Sequence, residues 1–162
     1  MISYEKVRQA LKTSTIAIII LNGLGVVLSL MGFAGIFYLQ SQLKNEAFRA
    51  QLTTEQLAQL QSSMTPFMIF LSVLNVLAII AIIIFCTQNL FKLKQGLTVS
   101  YIPYILGLIL SVIGLVSQFT TTMSMVGTIL ILAQAALYGF AFYKAKTLND
   151  KDTDTDQDQS IL

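Results

Sequence analysis

The chain has 162 residues, 55% of them apolar and only 11% charged, with ten Lys and Arg against eight Asp and Glu for a net charge of +2. An ordinary soluble domain carries roughly 25% charged residues, so the composition points to a single-domain membrane protein. Basic residues in neither excess nor one-sided array leave no nucleic-acid footprint. The absence of histidine and the single cysteine, Cys86, give metal centres, disulfides and His-based proton transfer no foothold.

Residues 1–13 form a short basic lead-in with Lys6, Arg8 and Lys12 and a weak helical pattern at Tyr4, Val7 and Leu11, suited to lying along a membrane surface. An uncharged run follows over 16–39. A signal-peptide core has about 7–15 apolar residues, and this run is far longer, so it reads as a retained first span. Residues 40–64 turn abruptly polar and glutamine-rich, and Thr53 with Gln56 fits a capping box that would open a short helix. This segment reads as two short solvated helices.

The second span is expected over 66–87, with Thr65 as the N-cap and Pro66 at the first helical position, where its missing N–H is not needed. A polar loop at 88–100 leads to a third span at 101–118, with Pro103 in its first turn. A tight uncharged turn, FTTTMS at 119–124, leads to a fourth span at 125–143. The domain plan is thus a basic segment 1–13, a membrane domain 14–147 and an acidic disordered tail 148–162. The tail's alternating aspartates resemble the start of a calcium loop. Counted from Asp152, however, position six is Gln157 where glycine is needed, and position twelve falls beyond Leu162.

Basic residues near span ends are retained on the cytoplasmic side. The segments 1–13, 88–100 and 144–162 hold eight of them, against two, Lys44 and Arg49, in the intervening segments. Both termini are therefore expected in the cytoplasm. Aromatic residues fit, with Tyr101, Tyr104, Phe85, Phe91, Phe142 and Tyr143 expected at the inner interface and Phe37, Tyr38, Phe67 and Phe119 at the outer one.

The wording LGVVLSLMG at 24–32 returns as LGLILSVIG at 106–114, and the second and fourth spans close on Phe91-Lys92-Leu93-Lys94 and Tyr143-Lys144-Ala145-Lys146. These echoes suggest an all-α four-helix bundle built from two similar hairpins as parallel repeats. Small residues at heptad spacing let membrane helices approach closely. Asn22, Gly25, Ser29 and Gly32 share one face of the first span, and Gly107, Ser111, Gly114 and Gln118 share one face of the third. Asn75 and Gln134 fall near mid-depth, level with Ser111, as interhelical hydrogen-bonding groups. Gly23-Leu24-Gly25 is no dinucleotide fingerprint, since it lies mid-span without a third glycine or a strand. No cofactor is expected.

No Asp, Glu, Lys, Arg or His falls inside a span, which disfavours proton- or ion-coupled transport. No nucleophile has a candidate base, so an enzyme is not expected. Size and style point to a small bacterial multi-pass protein of the plasma membrane. Its expected action is lateral association with a membrane-protein partner or with itself, through the glycine faces and the 40–64 segment. The alternative is a small oligomeric transporter or channel for a neutral or lipophilic solute around Asn75, Ser111 and Gln134.

Overall fold

A computed structural model of the chain describes residues 4–120 and 124–159. Residues 121–123 of the expected 119–124 turn and the last three residues of the expected tail lie outside them. The described residues form helices and no strands: α1 (Tyr4–Gln42), α2 (Glu46–Arg49), α3 (Thr54–Ser63), α4 (Pro66–Gln95), α5 (Ile102–Thr120) and α6 (Met125–Gln159). Three are long and apolar enough to cross a membrane, namely α1, α4 and the Met125–Asp150 part of α6. The apolar stretch of α5, Ile102–Gln118, is shorter. At 1.5 Å per residue it measures roughly 25 Å against a hydrocarbon core of about 30 Å. Only 11% of each long apolar window is buried within the chain, so most of this surface needs a nonaqueous covering.

Helix ends follow local chemistry. Thr53 caps α3 through its side-chain oxygen, which accepts from Gln56 N at 3.2 Å, while Gln56 Oε1 accepts from Thr53 N at 3.0 Å. Thr65 Oγ1 accepts from Met68 N at 3.4 Å and opens α4 at Pro66. That helix stops at Gly96, whose φ of +71° is left-handed. Leu97 N donates to Lys92 O and Gly96 N to Leu93 O, the paired bonds of a Schellman C-cap. Ser124 opens α6 by accepting from Gly127 N through its hydroxyl and from Thr128 N through its carbonyl.

The chain divides into two compact units, Met1–Gly23 with Ile79–Leu162, and Leu24–Ala78. In the first, one buried cluster draws on four helical segments. Val7, Leu11, Ser14, Ile18 and Asn22 of α1 are buried at steps of three and four, as are Ile82, Cys86, Asn89 and Leu93 of α4. Tyr104, Gly107 and Ser111 of α5 and Tyr138, Ala141, Ala145 and Leu148 of α6 repeat that spacing. Such steps keep one face of each helix toward its neighbours. α5 and α6 run antiparallel, as Tyr101 against Phe142, Gly107 beside Tyr138 and Gly114 beside Ile131 require.

Several expectations need correction. The lead-in does not lie apart from the first span: α1 is continuous from Tyr4, because Val7 and Leu11 extend the buried face of Ile18 with no helix breaker between. Tyr104 is not an interfacial anchor but fully buried at 0% exposure, held by polar partners in the core. Helix α6 continues to Gln159, through most of the segment read as a disordered tail, and the start of that segment is packed, with Leu148 buried and Asn149 holding Val99.

Candidate functional site

Two polar arrangements stand out, one in each unit, and they differ in whether their groups are satisfied. In the first unit, Thr15 Oγ1 and the Tyr104 hydroxyl lie 2.8 Å apart, and Asn89 Nδ2 donates to the same hydroxyl at 3.3 Å. Asn89 also clamps the loop before α5: Nδ2 donates to Ser100 O at 2.7 Å and Oδ1 accepts from Ser100 N at 2.8 Å. From the opposite side Asn149 does the same to Val99, donating to its carbonyl at 2.9 Å and accepting from its N–H at 3.1 Å. The Arg8 guanidinium donates to Leu93 O at the end of α4. The start of α1, the end of α4, the start of α5 and the far part of α6 therefore meet at one end of this unit.

Higher in the same unit, Asn22 Nδ2 donates to Tyr138 OH at 2.7 Å, and that hydroxyl donates to Asn22 Oδ1 at 3.1 Å. Asn22 Nδ2 also reaches Ile18 O at 2.7 Å, and the Gln134 side chain hydrogen-bonds Tyr138. Ser111 donates to Gly107 O at 2.8 Å. Gly107 lies so close to Tyr138 that a Cβ there would overlap the ring, and a Cβ at Gly114 would touch Ile131 at 3.4 Å. Of the residues singled out by spacing, Asn22, Gly107, Ser111, Gly114 and Gln134 are thus placed within this satisfied core or its seams.

The second unit is different. Between α1 and α4 lies a cleft of about 230 Å³ lined by Ser29, Gly32, Phe33, Ile36, Ser72, Asn75 and Val76. Ser29 donates to Gly25 O and Ser72 to Met68 O, each at 2.8 Å, so both hydroxyls are satisfied within their own helices. Asn75 is exposed and makes no side-chain hydrogen bond among the described residues. Nothing lies within 4 Å of where a Cβ would stand on Gly25 or Gly32. The structure brings Ser29, Gly32 and Asn75 together, and assigns Asn75 to a different unit from Ser111 and Gln134.

Spacing missed Thr15, Asn89, Tyr104, Tyr138 and Asn149. Thr15 lies in step with Leu11 and Ile18, a usable signal, whereas Asn89 and Asn149 fall in polar flanks where an asparagine reads as solvated. Among the described residues no group of three or more His, Cys, Asp or Glu is placed to hold a metal ion. Comparison with protein-family models, curated proteins and solved structures gives no match.

Proposed function

We propose that the chain is a small, non-enzymatic multi-pass protein of the cell membrane that acts by lateral association, with a membrane-protein partner or with a second copy of itself. The observation that carries this reading is Asn75, an exposed carboxamide without a hydrogen-bond partner among the described residues, near the middle of the uncharged apolar stretch 66–87 of α4. In hydrocarbon an unpaired amide costs several kcal/mol, whereas an interhelical hydrogen bond returns roughly 0.6–2 kcal/mol. A partner helix seated beside Gly32 and Ser29 would supply that bond, and the uncovered glycines would permit its close approach.

In this reading all four apolar helices cross the bilayer as a bundle with both termini in the cytoplasm. The meeting of Arg8, Leu93, Tyr104 and Asn149 at one end supports it, because it makes successive helices run in alternating directions. The echo between 24–32 and 106–114 supports a duplicated hairpin. The 40–64 segment adds a second contact surface, with an open pocket of about 390 Å³ lined by Glu46, Arg49, Leu52 and Leu57 among others.

The test is affinity isolation of the tagged chain from native membranes, with mass spectrometry of stoichiometric companions. The wild type should retain a membrane companion or a second copy, and Gly32→Leu with Asn75→Leu should lose it. Unchanged co-isolation by the double variant would overturn the reading. Solute flux from liposomes holding the purified chain alone would favour the transporter alternative.

A further inference from the structure

We propose that the pocket between the start of α1 and the end of α4 binds the phosphate headgroup of an anionic phospholipid. It rests on membrane insertion but not on lateral association. The pocket has a volume of about 430 Å³ and is lined by Glu5, Arg8, Gln9, Lys12, Leu90, Leu93 and Lys94, all of the first unit. Three cations against the single Glu5 leave it at +2, enough for a phosphodiester with charge to spare.

Its depth is right for a headgroup. Lys12 lies four residues before the uncharged run that begins at Ile16, and Leu90 lies three residues beyond Thr87. At 1.5 Å per residue these offsets are roughly 5–6 Å, so the inner rim of the pocket lies within the polar layer that borders the hydrocarbon, with Arg8 and Lys94 farther out toward water. Exposed aromatics mark the same level, since Phe91 is 59% exposed and Lys94 Nζ stands 5.8 Å from its ring centre. Leu90, half-buried at the pocket wall, offers apolar surface to the glycerol end, where a soluble phosphate would have nothing to bury.

The recognition group is also held in place. Arg8 is tied to Leu93 O through one N–H, and a guanidinium carries five. The remaining donors stay available for phosphate oxygens on a side chain whose position is already fixed, which lowers the entropic cost of binding. Lys12 and Lys94, both exposed, contribute mobile charges from two different helices.

The experiment is native mass spectrometry of the full chain in detergent, titrated with phosphatidylglycerol, phosphatidylcholine or soluble glycerol phosphate. The variants are Lys12→Gln with Lys94→Gln, and as a control Lys144→Gln with Lys146→Gln, which removes equal charge outside the pocket. Each must elute as the wild type does by size exclusion. A basic residue near an anionic lipid surface contributes about fivefold in affinity, so the pocket variant should bind phosphatidylglycerol roughly thirtyfold more weakly. The control should stay within about threefold, because neither Lys144 nor Lys146 lines the pocket. Equal losses in the two variants would reduce the effect to general charge attraction and overturn the site. Equal affinity for phosphatidylcholine would overturn the requirement for an anionic lipid, and equal affinity for glycerol phosphate would overturn the lipid assignment.

Discussion

The polar residues of the apolar helices divide by whether they have found partners. Asn22 and Tyr138 have, at 2.7 Å, and a double-mutant cycle with Asn22→Leu and Tyr138→Phe should return a coupling of about 0.6–2 kcal/mol, read as unfolding in detergent. Asn149 holds both backbone groups of Val99, so Asn149→Ala leaves a donor and an acceptor unpaired and should destabilise by about 1–3 kcal/mol. The glycines divide in the same way. Gly107→Leu collides with the Tyr138 ring and should prevent stable folding, whereas Gly32→Leu meets nothing within 4 Å and should melt within about 1 kcal/mol of the wild type. Matching melts for the two glycine variants would contradict this division. Asn22, Gly107 and Ser111 were legible in the sequence because polar and small groups are conspicuous in apolar runs. Tyr138, the partner of Asn22 and Gly107, was not, since an aromatic ring within an apolar run does not stand out, and Tyr104 near the start of its span read as an interfacial anchor.

At the scale of elements, the ends are set by residues with a single local job. Gly96 adopts φ +71° so that α4 can close its Schellman cap, and Gly96→Ala should cost about 1 kcal/mol, measured in the same melts. The capping box at Thr53 and Gln56 and the start of α4 at Pro66 were readable because both rest on contacts within four residues. The long extent of α1 and α6 was not. Lys6, Arg8 and Lys12 make residues 4–13 look like an interfacial fragment, and the aspartates make 150–158 look like coil. Tertiary contacts decide the first case, through Val7 and Leu11, and in α6 they hold the helix as far as Leu148 and Asn149. Periodicity at 7, 11, 14, 18 and 22 contained the first of these signals, obscured by charge on the outward positions.

At the scale of the whole molecule, the first unit is built around a hydrogen-bonded core and the second exposes a cleft whose amide, Asn75, has no hydrogen-bond partner among the described residues. That asymmetry, more than any single residue, motivates the association reading: one unit supplies stability, and the other offers a surface that lipid chains cannot hydrogen-bond. Orientation is testable at this scale too. Eight of the ten basic residues flank the end where Arg8, Leu93 and Asn149 meet, so impermeant reagents should label a cysteine placed at position 151 only from the cytoplasmic side, in a Cys86→Ala background. The deciding measurement is photo-crosslinking in native membranes, with a photoreactive side chain at position 32 or 75 and, on the opposite face of α1, at Val27, which is 54% exposed. Association through the cleft predicts a discrete protein adduct from positions 32 and 75 and only lipid products from position 27. Adducts from all three alike, or from none, would contradict it.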